Sequence, residues 1–167
     1  MKTLLVIMIY SISLGGSLMV INPATAINDA GNTIHLDQSR QFPETRWADA
    51  DHYLRVHVPR NSAAMSALSF QVPGNLRFDA NQVAVFDIKG QKILATVSEG
   101  INSSVYPAVK TIQLDFSTPI ASGNQIDLQI RNVKKISVSR PSTYSISAKL
   151  IDGDQFSYIG EAYFRSY

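Results

Sequence analysis

The sequence predicts an all-β protein: a single antiparallel β-sandwich, immunoglobulin-like in architecture, of about eight strands after an N-terminal signal peptide. Three observations predict it. No helical repeat of apolar residues runs on beyond residue 26. From His52 onward, short runs alternate apolar and polar side chains, and turns rich in Gly, Pro, Asn and Asp separate them. Seven Tyr and seven Phe in a chain that is 45% hydrophobic and only 17% charged supply the apolar matter of a core.

Met1-Lys2-Thr3 gives a short positive start, and Leu4 to Ile21 is mostly apolar. Asn22-Pro23 breaks a helix, and Ala24-Thr25-Ala26 offers small residues where a signal peptidase reads. This is the three-part layout of a secretory signal peptide, with cleavage expected after Ala26. The competing reading is an uncleaved anchor. The apolar run is short for a membrane span and is diluted by Ser11, Ser13, Gly15, Gly16 and Ser17. Residues 1–26 are therefore assigned to the signal peptide, 27–51 to an extended polar leader and 52–167 to the sandwich. The leader contains a short strand candidate, Thr33–Leu36.

His52–Val58 places Leu54, Val56 and Val58 on one face, with Tyr53, Arg55 and His57 on the other, and Pro59 stops it. Residues 60–67 read as a short helical turn. Ser66–Val72 repeats the alternation and ends at Pro73-Gly74. Gln82–Ile88 and Gln91–Ser98 flank Lys89-Gly90 and read as a hairpin. Glu99–Ala108 reads as a loop. Val109–Phe116 alternates, Thr118–Asn124 turns, and Gln125–Arg131 follows. A basic link leads to a short strand candidate at Ile136–Ser139. Thr143–Ile151 is the next strand, Asp152-Gly153-Asp154 the next turn, and Phe156–Arg165 the last strand. On that last strand, period two puts Phe156, Tyr158, Gly160, Ala162 and Phe164 inward.

Composition narrows the chemistry. The chain has no Cys, which excludes disulfides, thiol catalysis, thiolate zinc sites and a Cys-linked lipid anchor. An exported chain without Cys fits a bacterial envelope better than a eukaryotic secretory route. Fifteen Lys and Arg stand against thirteen Asp and Glu, and signal cleavage removes Lys2 alone. Such a balance gives no call for nucleic acid or an anionic surface.

No Gly-x-Ser-x-Gly occurs, and no Ser stands three residues before a Lys. The three histidines, His35, His52 and His57, read as ordinary surface residues. The odd separation of His52 and His57 sends them to opposite faces, against shared metal ligation. Asp49 with Asp51, and Asp152 with Asp154, are the calcium candidates. Turn geometry explains the second pair, with Gly153 supplying a positive φ. The first lacks the Gly and later Glu of a calcium loop. Only Glu44, Glu99 and Glu161 represent Glu, so a glycosidase carboxylate pair is not assignable. No catalytic, cofactor or metal residue is assigned, and no cofactor is expected. Trp47, Tyr53 and Tyr163 are candidates for a sugar-stacking platform, although strand propensity accounts for the tyrosines by itself.

Several stretches resemble one known family. They are Tyr53–Pro59 (YLRVHVP), Leu76-Arg77-Phe78-Asp79, Val85-Phe86, Ile112–Gly123 (IQLDFSTPIASG) and Tyr158–Tyr167 with its aromatic–Gly close. In order and spacing they resemble the secreted cyanobacterial family catalogued as domain of unknown function twenty-eight-zero-eight. The resemblance implies export and a β fold, and it implies no activity.

The expected role is non-catalytic: a protein of the periplasm, outer envelope or extracellular space, acting by binding or assembly, with an envelope protein or a glycan as partner. Two alternatives stay open. One is a surface filament subunit that donates its leader strand to a neighbour's sheet edge. The other is a carbohydrate-binding module. No nucleic-acid partner and no membrane span after signal cleavage are expected.

Overall fold

The computed structural model describes residues 33–42, 49–102, 109–136 and 141–164. The signal peptide, its cleavage site, Glu44, Trp47 and most of the Ile136–Ser139 candidate lie outside the described residues.

The chain forms β1 (His35–Phe42), β2 (Ala50–His57), β3 (Met65–Val72), β4 (Leu76–Arg77), β5 (Val83–Asp87), β6 (Lys92–Ile93), β7 (Ala95–Asn102), β8 (Val109–Ile120), β9 (Gln125–Lys135), β10 (Ser142–Leu150) and β11 (Ser157–Phe164). Two antiparallel sheets pack face to face. The first has the order β1-β2-β9-β5-β6, with β4 also on β9; the second has the order β11-β10-β3-β8-β7. The all-β sandwich is as expected, but among the described residues the strands number eleven rather than about eight.

Three local causes account for the difference. The expected strand Gln91–Ser98 is two: β6 belongs to the first sheet and β7 to the second, with Leu94 crossing between them. The two-residue β4 pairs with Lys134 and Lys135, so the basic link is part of β9. The leader supplies β1, which runs past Leu36 to Phe42 and pairs with β2. The sandwich thus takes in residues upstream of His52. Its polar sequence hides the strand, because its outer face is wet and its inner face holds little more than Leu36.

Other boundaries moved for equally local reasons. Residues 60–67 are not helical: Ser62 N–H donates to Pro59 carbonyl at 3.1 Å, and β3 begins at Met65. The expected loop after Glu99 is strand as far as Asn102. β8 continues through Pro119, leaving the turn to residues 121–124. Lys89-Gly90 forms the expected hairpin turn. Gly90 takes φ +78°, and the Asp87 carboxylate accepts the Lys89 and Gln91 N–H groups, each at 2.8 Å. Gly153 does not take the positive φ expected of it; that turn closes by Gly153 N–H donating to Leu150 carbonyl at 3.2 Å.

Period two fills the space between the sheets. Leu54 and Val56 of β2, Ile126, Leu128 and Ile130 of β9, Phe70 of β3, Ile112 and Leu114 of β8, and Tyr144 and Ile146 of β10 are all buried. Each such side chain contributes about 1.5–3 kcal/mol by leaving water. β11 obeys the expected phase only at its end. Ala162 and Phe164 are buried, but Tyr158 is 63% exposed and Phe156 also reaches solvent, while Ile159 packs against the core. The cause is a register shift: Ile146 pairs with Gly160 and Ser147 with Tyr158, so Ile159 is a bulged residue that inverts the alternation. Gly160 takes φ +149°, and a Cβ there would sit 3.1 Å from the Leu36 Cβ. The two sheets meet closely at this edge because position 160 has no side chain.

Candidate functional site

The outer face of the first sheet carries the most organised polar surface. Alternation on β2 sends Asp51, Tyr53 and Arg55 outward, away from the buried set of His52, Leu54 and Val56. Register places Gln38 beside Arg55, Arg40 beside Tyr53 and Phe42 beside Asp51 on one flank. On the other flank Asp127 lies opposite Arg55, and Gln129 opposite Tyr53. The Arg55 guanidinium donates Nε to Asp127 Oδ1 at 2.7 Å and Nη2 to Oδ2 at 2.8 Å. This two-pronged bond pushes the Arg55 pKa above its already high ordinary value.

A second chain of bonds runs alongside. Gln129 Nε2 donates to the Tyr53 hydroxyl at 2.9 Å and to Asp51 Oδ2 at 3.3 Å. Asp51 Oδ1 accepts the Asn132 N–H at 3.1 Å, and Arg131 Nη2 donates to Gln129 Oε1 at 3.4 Å. A groove of about 450 Å³ opens over this face, lined by Gln38, Arg40, Phe42, Tyr53, Arg55 and Asp127. Phe42 is 71% exposed at its end. Of these side chains, Tyr53, Arg55 and Asp127 are held by the bonds just described. Planar guanidinium and amide groups beside two aromatic rings can take a polar ligand with an apolar face.

Two of the three histidines are not surface residues, contrary to expectation, while His35 is only half-buried. His52 is fully buried and His57 nearly so. His52 begins an inward face and is covered by β10 and β11. Its ring stacks on Phe164 with centroids 4.0 Å apart, and its Nδ1 shares a 3.0 Å hydrogen bond with the Tyr144 hydroxyl. Burial, assisted by the Lys135 charge, lowers its pKa from 6.5 to about 3, so the ring is neutral. Burial raises the Tyr144 pKa as well. His57 lies on the opposite face, as its spacing from His52 required, and meets His35 across β1 and β2 with ring centroids 5.2 Å apart.

The calcium candidates separate. Asp49 faces Lys134 at 3.8 Å, whereas Asp51 is engaged by Gln129 and Asn132. Asp152 and Asp154 stand exposed in their turn. Among the described residues, no three His, Asp or Glu side chains converge on a metal position. Tyr53 and Tyr163 lie on different sheets and form no common platform. Tyr163 is 61% exposed and donates its hydroxyl to Glu161, which raises its pKa.

Arg55, Asp127 and Gln129 were not singled out in the sequence. Their outward phase is visible there, but 72 positions separate Arg55 from Asp127, and only the register of β2 on β9 joins them.

Among solved structures, the chain resembles the crystal structure of BslA, described as a bacterial hydrophobin. The TM-score is 0.50 at 11% identity, covering 79% of this chain and 93% of BslA. At that identity the likeness is one of fold. A search of curated proteins finds no match. A sequence profile described as "Protein of unknown function (DUF2808)" matches residues 19–151, from the end of the N-terminal apolar run through β10. That match spans most of the chain, and the chain belongs to this family of unknown function.

Proposed function

We propose that the protein is exported to the bacterial envelope or extracellular space and works there without catalysis, by binding a polar ligand on the outer face of its first sheet. The observation that carries the binding reading is the groove over Tyr53 and Arg55, whose walls are fixed by the bidentate Arg55–Asp127 pair and by the Gln129 bonds. Fixed donors and acceptors beside aromatic rings suit a glycan, which offers hydroxyl groups on its rim and apolar C–H groups on its faces. Export rests on the apolar run from Leu4 to Ile21 and the Ala24-Thr25-Ala26 exit site.

Donation of the leader strand to another subunit is the less favoured reading. β1 is already paired along β2 and packed by Leu36 against Gly160, and it would have to leave both.

Two experiments test the proposal. N-terminal sequencing of the exported protein should begin at Ile27; an intact Met1 terminus in the membrane fraction would defeat the export reading. A glycan array followed by calorimetry should find a ligand whose affinity falls with Tyr53→Ala and Arg40→Ala and is unchanged by Glu161→Ala on the other sheet. Binding that ignores both groove substitutions would place the site elsewhere.

A further inference from the structure

Each sheet of an open sandwich ends in strands with unpaired N–H and C=O groups, which stable proteins usually blunt. Among the described residues the two sheets have four edges, and three of them are blunted. β1 carries a register shift between Leu36 and Gln38, β6 has only two residues, and β11 is bulged at Ile159. The fourth, β7, is eight residues long, and every one of them is in continuous register with β8, from Ala95 with Phe116 to Asn102 with Val109. It contains no Pro, Lys or Arg. Its single charge, Glu99, is neutralised within the chain by Lys110 Nζ at 2.8 Å.

The hydrogen-bond phase of that edge follows from one bond. Ser117 N–H donates to Leu94 carbonyl at 3.0 Å, and these two residues are directly opposite in the same register. In an antiparallel ladder, hydrogen-bonded and non-bonded pairs alternate. Thr96, Ser98 and Gly100 therefore turn their main-chain groups to β8, whereas Ala95, Val97, Glu99 and Ile101 turn theirs to the open side.

The side-chain phase matches. Ala95, Val97, Glu99 and Ile101 lie on the face that carries Phe116, Leu114 and Ile112. Near Ala95 and Val97 a slot of about 230 Å³ opens between the sheets, lined also by Val83, Val85, Ile93 and Leu114. At the far end of the same face Ile101 is 76% exposed. The edge thus has an apolar hollow at one end and an apolar knob at the other.

We propose that two copies of this chain pair through β7, antiparallel about a two-fold axis at Ser98, so that their second sheets join into one. About that axis Val97 meets the second copy's Glu99, and Ala95 meets the second copy's Ile101. All outward main-chain groups from Ala95 to Ile101 find partners. Each Ile101 is carried to the mouth of the other copy's slot. Glu99, already compensated by Lys110, brings no like-charge repulsion, and the opposite face presents only Thr96, Ser98 and Gly100. An isologous contact of this kind closes at two copies.

The register makes a sharp test possible, because the chain has no Cys. In a non-hydrogen-bonded antiparallel pair the Cα atoms stand about 4.5 Å apart, within disulfide range. Ser98→Cys should form a covalent dimer under mild oxidation. Thr96→Cys, which faces the second copy's Gly100, should form far less at the same protein concentration. Sedimentation equilibrium of the unmodified protein should show a monomer–dimer equilibrium, and Glu99→Pro should shift it to monomer. That proline removes an outward N–H and leaves the bonds to β8 in place. If Glu99→Pro fails to fold, Ile101→Lys tests the same contact from the side chain. Three results would overturn the proposal: a monomer at every concentration; a dimer that survives both substitutions; or equal cross-linking at positions 96 and 98. Because none of these readouts involves a ligand, they are separate from the fate of the groove on the other sheet.

Discussion

Acid should destabilise this protein more steeply than it destabilises a His52→Gln variant. The His52 ring is sealed between Tyr144 and Phe164, and its pKa falls from 6.5 to about 3. The unfolded chain therefore takes up a proton that the fold refuses. Stability from this residue is complete above the unfolded pKa and declines as the pH drops from 6.5 toward 3. The slope approaches 1.36 kcal/mol per pH unit, so about 2.5–3 kcal/mol is lost by about pH 4.5. That is a large share of the 5–15 kcal/mol that holds a typical domain. Glutamine keeps a donor and an acceptor within reach of the Tyr144 hydroxyl but does not titrate. The variant should be weaker near neutrality, having lost the stacking on Phe164, and flatter in acid. Urea unfolding of both proteins across this pH range gives the difference between their slopes, in which every other titrating group cancels. Parallel curves would refute the reasoning, since they would mean that His52 protonates inside the fold.

Phe164→Ala should cost about 3–5 kcal/mol, because its ring is buried against His52 and Tyr144, whereas Glu161→Ala on the wet face should change stability by less than about 0.5 kcal/mol. Urea midpoints of the two variants decide it. Gly160→Ala should cost about 1–3 kcal/mol in a thermal melt, since φ +149° strains any L side chain and the new Cβ meets Leu36. A double-mutant cycle on Arg55 and Asp127 should give a coupling of about 1 kcal/mol or less, shrinking with added salt, because both side chains remain partly exposed.

Alternation made the sandwich readable, and register made the site unreadable. Leu54, Val56, Ile112, Leu114 and Phe164 could be placed inward from their spacing alone, since a strand repeats every two residues. The same rule misplaced Tyr158 and Phe156, because one bulged residue, Ile159, inverts the phase without leaving a mark in the sequence. β1 was cut short because a strand on a polar edge lacks the apolar alternation that announces others. Leu94 sits within one continuous β-rich run, and nothing local shows that it carries the chain from one sheet to the other. His52 was given to solvent because the first residue of a strand is usually open there; Phe164, distant in sequence, closes over it. The Arg55–Asp127 pair depends on two strands finding each other across most of the domain, and that is a property of topology rather than of spacing.

The position of β9 has a consequence for how the chain folds. β9 separates β2 from β5 in the first sheet, and its pairing with β2 joins residues such as Tyr53 and Gln129 that are 76 positions apart. Until β9 is available, β1 with β2 is a lone hairpin and β5 with β6 another, and isolated hairpins are at best marginally stable in water. Assembly must wait for a loop closure of that length, which places folding in the millisecond-to-second range common to proteins rich in distant contacts. An emerging chain that cannot complete its first sheet until most of its length is present stays extended for a time. Late closure of β9 therefore separates the moment when the chain is fully made from the moment when it becomes a folded body.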